Sequence, residues 1–326
     1  MILVGDIGGT NTRLALYEQS AAGLALRQRK DFLNDNHAGL EAILELFLAT
    51  QPRPLGACFG VAGLVVDGAC HLTNRNWLIE EAALARRLGV AVRLVNDVAA
   101  IASGVVHLPD ASFVELQRGT RPWGAGNIAV IAPGTGLGEA CAFWDGARHR
   151  PFASEAGHAD FAPVDAVELE LAAFLHDRYE GHASVERVLS GPGLAVIADF
   201  LVASGRFAPS PTVVALEMAH RPAELVRLAL DARQPLALAT LEIFLSVLAR
   251  ETGNAALRYL ALGGVVLGGG IPPRLLDPLR QPRFVATMAD KGRFGAMLRS
   301  LPVRVVVDAD ASLLGAAAIA SDLPGH

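Results

Sequence analysis

Met1-Ile2-Leu3-Val4-Gly5-Asp6-Ile7-Gly8-Gly9-Thr10-Asn11-Thr12-Arg13-Leu14-Ala15-Leu16-Tyr17 opens the chain. An apolar run ends on two glycines and a threonine, and strand-forming residues resume at Arg13. The stretch therefore reads as strand, glycine turn, strand: a hairpin and not a helix start. Working outward, Leu24 to Arg29 predicts a third strand and His37 to Ala49 an amphipathic helix. A buried strand follows at Ala57 to Val61, then a hairpin about Asp67-Gly68 and a helix from Glu80 to Leu88. Val92 to Val95 is a further buried strand that delivers Asn96-Asp97, and Val98 to Val106 reads as helix.

From Asn127 the plan starts again. Ile128 to Ala132 is a buried strand, Gly134-Thr135-Gly136-Leu137-Gly138 a glycine turn with its own threonine, and Glu139 to Trp144 a returning strand. This weak echo, strands first and helices after, predicts two related lobes and not a tandem array. A helical stretch from about Ala166 to Leu260 precedes Val265-Val266-Leu267-Gly268-Gly269-Gly270. Val303 to Val307 then predicts a strand, and Ala311 to Ala320 an Ala-rich helix that returns to the first lobe.

At 326 residues the chain exceeds a comfortable single core. Its apolar share of 52% and charged share of 19% are ordinary for a globular protein. A formal charge of −5, with no basic run, gives no footprint for nucleic acid or an anionic membrane surface. Cys58, Cys70 and Cys141 lack metal or disulfide spacing and read as reduced core thiols in a cytoplasmic protein. Asp6 interrupts the opening apolar run, so no signal peptide is expected. The longest apolar run, Tyr259 to Ile271, is broken by glycines and too short for a membrane helix.

Three glycine clusters beside apolar strands put unblocked backbone amides where a polyphosphate could approach, because glycine has no Cβ to obstruct it. Gly8, Gly9, Thr10 and Asn11 form the first set, Gly134, Thr135 and Gly136 the second, and Gly268, Gly269 and Gly270 the third; together they predict an ATP site. The familiar alternatives fail. The only lysines are Lys30 and Lys291, which excludes the lysine-bearing P-loop and the protein-kinase set. Gly5-Asp6-Ile7-Gly8-Gly9 leads into another strand, which a dinucleotide fingerprint does not. Asp6, a carboxylate at the end of a buried strand, either caps a turn or holds Mg²⁺ through water.

Asn96 and Asp97 follow a strand and precede a helix, so either could cap that helix. A kinase acting on a hydroxyl needs a carboxylate to orient it and accept its proton, and Asp97 is the candidate base. Sugar recognition calls for several carboxylates and amides that each meet neighbouring hydroxyls. Ser154-Glu155-Ala156-Gly157-His158 and Ser184-Val185-Glu186-Arg187 offer such a group, with Glu155 and His158 close on either a turn or a helix. A metal site there would rest on one Glu and one His, which is thin.

Val4 to Arg13, Leu72-Thr73-Asn74-Arg75-Asn76-Trp77, Asn96-Asp97, Pro133 to Gly138, Glu155 to Pro163, Val185 to Leu194, Gly263 to Ile271 and Asp290 to Phe294 occur in an order that resembles the bacterial glucokinase family over essentially the whole chain. The resemblance implies a two-lobed α/β fold of the actin/hexokinase/Hsp70 (ribonuclease H-like) type with a central cleft. Residues 1–108 plus 309–326 would form the small lobe and 109–308 the large one. It implies a homodimer and transfer of the ATP γ-phosphate to the 6-hydroxyl of glucose. Asp97 would be the base, Asn96, Glu155, His158 and Glu186 ligands of the other hydroxyls, the first two glycine sets phosphate contacts, and Gly268 to Gly270 the adenosine side.

Two departures bear on sugar-loop geometry: Gly60-Val61 in the fourth strand, and Ser154 where relatives often carry Gly. The Cys-rich zinc motif of the related ROK kinases is missing, which points to a zinc-free branch, and no room is expected before Gly5 for the DNA-binding domain of ROK repressors. A kinase for mannose, fructose or an N-acetyl amino sugar is the alternative within the class. A noncatalytic sugar-binding relative is the alternative outside it.

Overall fold

The computed structural model describes residues 1–21, 23–72 and 75–323. Its backbone forms two compact units, Met1–Phe113 with Ala140–Ala153 and Val306–His326, and Val114–Glu139 with Ser154–Val305. Among the described residues no single helix is long and apolar enough to cross a membrane.

The first unit is built on a five-stranded sheet of order β3-β2-β1-β4-β8, from β1 (Ile2–Ile7), β2 (Asn11–Ser20), β3 (Gly23–Leu33), β4 (Gly56–Val61) and β8 (Ala91–Asn96). The β1–β2 and β2–β3 pairs are antiparallel, whereas β4 lies parallel to both β1 and β8. A small antiparallel sheet of β5 (Val65–Val66), β6 (Ala69–Leu72) and β7 (Trp77–Glu80) sits in the β4–β8 crossover. Its first turn is the expected Asp67-Gly68 hairpin, with φ of 51° and 72°, the left-handed pair that a two-residue turn between twisted strands demands.

Why β1 reads as an unbroken apolar run is clear from its two faces. Leu3 and Ile7 point into a cluster with Ile43 and Phe47 of α1 (Leu40–Leu48) and Leu84 of α2 (Glu81–Leu88). Ile2 and Val4 point the other way, against Leu313, Ala316 and Ala317 of the C-terminal helix Ala311–Ser321. A strand covered on both sides must be apolar at every position. Gly5 is the gap in the series: a Cβ there would stand 2.6 Å from the Phe59 ring.

α3 (Asp97–Gly104) and the C-terminal helix cross at glycines. A Cβ on Gly315 would lie 1.8 Å from the Ala100 carbonyl oxygen, and one on Gly104 2.0 Å from that of Ala311. This contact fixes the helix that begins with Asp97 against the sheet.

A further sheet has six strands in the order β12-β11-β10-β13-β14-β9. Its strands are β9 (Phe113–Gln117), β10 (Ile128–Pro133), β11 (Leu137–Trp144), β12 (His149–Ser154), β13 (Gly264–Leu267) and β14 (Val303–Val306). The expected helical stretch divides into α4 (Ala166–Arg178), α5 (Gly191–Ala203), α6 (Pro211–Val214), α7 (Arg221–Leu230) and α8 (Pro235–Arg258), followed by α9 (Leu276–Leu279), α10 (Pro282–Met288) and α11 (Gly295–Ser300). Proline marks the first turn of α5, α6, α7, α8 and α10, where its missing N–H costs nothing. The 24-residue α8 is the axis of the core, with Phe244, Leu248, Ala255 and Ala256 fully buried among α5, α7, α10 and β10.

None of the three cysteines is in a disulfide and all are buried, and burial pushes the Cys141 thiol up to about 11. They are core residues, as their spacing indicated.

Candidate active site

In the first unit, three parallel strands end together. Ile7, Val61 and Asn96 are register partners across β1, β4 and β8, so Gly8-Gly9-Thr10, Ala62-Gly63 and Asp97 leave the sheet along one edge. With strands about 4.8 Å apart, β1 and β8 stand about 10 Å from each other there. Carboxyl ends of parallel strands are where α/β sheets expose working side chains.

Asn96 is the helix cap. Its Oδ1 accepts from Val98 N at 2.9 Å and Ala99 N at 3.2 Å, while its Nδ2 donates to Gly63 O at 3.4 Å. Any sugar hydroxyl would share an amide already engaged in holding the turn. Asp97 is the first residue of α3, where the helix dipole favours a carboxylate, and its Oδ1 accepts from Val98 N at 2.9 Å. Gly60, one of the two noted departures, lets α3 start this close: a Cβ would meet Ala100 Cβ at 3.3 Å and Asp97 Cα at 3.5 Å.

The first glycine turn has its carbonyls held. Asn34 Nδ2 donates to Gly8 O at 2.9 Å, Asn34 N to Thr10 O at 2.9 Å, and the Arg75 guanidinium to Gly9 O. The amides of Gly9 and Thr10 donate to no acceptor among the described residues. Consecutive free amides on an exposed turn form an anion-binding concavity. Asp6 lies just before it, and burial raises its carboxyl above the ordinary 3.8, offset by the Ser312 hydroxyl and then by Arg13. Its Oδ2 accepts from Ser312 Oγ at 3.0 Å and stands 3.6 Å from Arg13, leaving Oδ1 without a partner among the described residues.

The second unit repeats the device. Gly134 N donates to Gly136 O and Gly191 N to Gly134 O, both at 2.8 Å, and the amides of Thr135 and Gly136 again donate to no acceptor among the described residues. Parallel pairing of β10 with β13 brings Gly268–Gly270 beside this turn. Gly269 has φ 77°, and its absent Cβ would approach Pro133 O to 2.6 Å, so only glycine fits.

Leu137 then gathers the sugar candidates. Its N–H donates to Glu186 Oε2 at 2.9 Å, and a Cβ on Gly136 would be 2.6 Å from that same oxygen. Gly157 abuts its carbonyl, where a Cβ would be 2.0 Å away. Glu155 and His158 flank Gly157 on a 3₁₀ turn, both exposed, and Val185 N to Ala159 O at 2.8 Å laces that turn to the segment carrying Glu186. Glu155, His158, Glu186 and the glycine–threonine turn are therefore one local cluster. Among the described residues no three His, Cys, Asp or Glu side chains are grouped to hold a metal ion.

Sequence reasoning missed Asn34, Arg75 and the start of α5. Asn34-Asp35-Asn36 carries a loop signature but nothing that aims it at Gly8, 26 residues away. Ser190-Gly191-Pro192-Gly193 is legible as a helix start, since Ser190 Oγ accepts from Gly193 N at 3.1 Å, yet not as the prop of Gly134. Thr73 and Asn74 of the motif containing Arg75 lie outside the described residues.

Two sheet-based units, each with a threonine-bearing glycine turn that presents unspent amides, and a cluster of Glu155, His158 and Glu186 beside one of them, define a kinase of the two-lobed α/β sugar kinase class. Comparison with known proteins narrows this. The family model for glucokinase matches residues 3–323, and the chain belongs to the glucokinase family. It is 34% identical over 340 residues to the glucokinase of Nostoc punctiforme, covering 99% of both chains, and 36% identical over 318 residues to that of Hahella chejuensis, covering 97% and 95%. The crystal structure of glucokinase from an Antarctic psychrotroph matches with a TM-score of 0.86 at 32% identity over 99% of both chains. A ROK family glucokinase from Streptomyces griseus, solved with glucose and AMPPNP, shares the fold at a TM-score of 0.65 and 19% identity over 99% of both chains.

Proposed function

We propose that the chain transfers the γ-phosphate of ATP to the 6-hydroxyl of glucose, giving glucose 6-phosphate and ADP. The observation that carries this reading is the pair of turns at Gly8–Thr10 and Gly134–Gly136, whose carbonyls are tied down while consecutive amides stay available for phosphate oxygens. Gly268, Gly269 and Gly270 take the adenosine side. Glu155, His158 and Glu186 meet the sugar hydroxyls, with Asn96 sharing its amide between the helix cap and the ring.

Asp97 acts as the base. It orients the 6-hydroxyl and accepts its proton as the oxygen attacks the γ-phosphorus. Asp6 fits a hydrated Mg²⁺, because its carboxyl is raised by burial and retains one unpartnered oxygen. Bound there, the ion would neutralise charge on the phosphate oxygens. We further read residues 1–108 with 309–326 as one lobe and 109–308 as the other, and the protein as a cytoplasmic homodimer of the zinc-free branch.

The test is turnover in a coupled assay with glucose and ATP. Asp97→Asn keeps the side-chain shape at the helix start and should lower kcat by about 10²–10⁴-fold with thermal unfolding unchanged. Full turnover in that variant would remove Asp97 as the base.

A further inference from the structure

Ser154, a noted departure from relatives, closes β12 immediately before the proposed sugar ligand Glu155. Its hydroxyl is a three-way junction. Oγ lies 2.8 Å from Glu139 O on β11, 2.7 Å from Tyr259 Oη just past the end of α8, and 3.4 Å from Ala156 N. A serine hydroxyl has one proton and two lone pairs. A carbonyl oxygen can only accept, so the proton goes to Glu139 O. The amide of Ala156 can only donate, so it takes one lone pair. Tyr259 must therefore donate its phenolic proton to the other, and every hydrogen-bonding position of Ser154 is filled.

Arg258, the residue before Tyr259, reinforces the same anchor. Arg258 donates to Glu139 Oε2 at 2.8 Å and also to Glu251, so Arg258 holds the side chain of Glu139 while Ser154 holds its carbonyl. Glu139 is fully buried. The C-terminal end of the core helix α8 is thereby tied to the strand leaving the second glycine turn and to the first residues of the sugar loop.

We propose that Ser154 and Tyr259 are positioning residues for Glu155, their hydroxyl–hydroxyl bond fixing where the sugar loop leaves the sheet and hence where the Glu155 carboxylate stands. The assignment rests on Glu155 being a sugar ligand. Glycine at position 154 would abolish the junction and leave Tyr259 Oη and Glu139 O without this partner. The Gly134–Gly136 turn is held separately, by Gly191 and through Glu186. Loss of the junction should thus act on the sugar and spare the nucleotide.

Steady-state kinetics of Ser154→Ala, Tyr259→Phe and the double variant, with Glu155→Ala alongside, test this. The expected result is a roughly five- to twenty-fold rise in KM for glucose in each single variant. KM for ATP and kcat stay within about twofold, and the double variant is no worse than Ser154→Ala, because the Ser154–Tyr259 bond that Tyr259→Phe removes is already lost in Ser154→Ala. A merely structural junction would lower the melting temperature and leave KM for glucose alone, and that result overturns the proposal. So does an additive double variant. Wild-type protein that fails to turn over glucose would remove the functional reading and the positioning role with it. Wild-type turnover, a raised glucose KM in Glu155→Ala and an unchanged one in both hydroxyl variants would remove the positioning role alone.

Discussion

Gly315→Ala sets two effects of opposite sign against each other at the crossing that fixes α3. In a helix interior the change from glycine to alanine is ordinarily favourable by about 1 kcal/mol, since the unfolded chain loses freedom. Here the new Cβ would lie 1.8 Å from Ala100 O and 2.6 Å from Gly104 N. Restoring an approach of 3.0 Å requires the two helices to part by about 1.2 Å, and both obstructing atoms are backbone that no rotamer change can move aside. Overpacking of this kind costs about 1–3 kcal/mol, and a rigid backbone contact belongs at the upper end. The net expectation is a loss of about 1–2 kcal/mol, or roughly 2–6 °C in melting temperature. Ala100 is one turn from Asp97, so a displaced α3 also shifts the proposed base, and a misplacement near 1 Å can cost about 10²-fold in rate. The assay is thermal unfolding followed by circular dichroism, with kcat measured well below the transition. A variant as stable and as active as the wild type would show that helix propensity outweighs the contact, and would refute the view that the glycine crossing holds α3 in place.

Burial, then the neighbouring Glu251, push the Glu139 carboxyl from 4.5 up to about 8, while Glu251 is lowered, its own burial being outweighed by the neighbouring Glu139, Asn254 and Arg258. Between those two values the folded protein holds a proton on Glu139 that the unfolded chain has released, so this group makes stability fall as pH rises, by up to about 1.4 kcal/mol per unit, and level off above about 8. Glu139→Gln should flatten that decline in melting temperatures measured from pH 5 to 9; parallel curves for the two proteins would count against a protonated Glu139. Gly136→Ala drives a Cβ to 2.6 Å from Glu186 Oε2 and should raise KM for both substrates severalfold, because that carboxylate joins the turn to the sugar cluster. Unaltered KM values in Gly136→Ala would mean that the turn and Glu186 are not mechanically joined.

Local pattern made much of this architecture legible. The glycine–threonine hairpins announced themselves because apolar strand residues stop and resume around residues that tolerate tight turns. Boundaries moved where local chemistry intervened: the helix expected from His37 begins at Leu40, after a 3₁₀ turn at Asn34–Asn36. The strands β9 and β12 went unread, since Phe113–Gln117 and His149–Ser154 are half-exposed edge segments with no strong apolar alternation. Asn96 and Asp97 could be seen to end a strand and begin a helix. That Asn96 is the residue that caps emerged only from its bonds to Val98 and Ala99.

Most of the strands, turns and helices in their order, the residue types available for phosphate and sugar chemistry, and membership of a family can be read along the chain. Those follow from short-range sterics and burial, which act between neighbours in the chain. Only the tertiary structure decided that Gly104 and Gly315, 211 positions apart, are the same contact, and that Ser154 meets Tyr259 and Glu186 meets Leu137. Each of these pairs joins segments whose local patterns are silent about each other, because a hydrogen bond or a missing Cβ specifies its partner only when packing has brought that partner within a few ångströms.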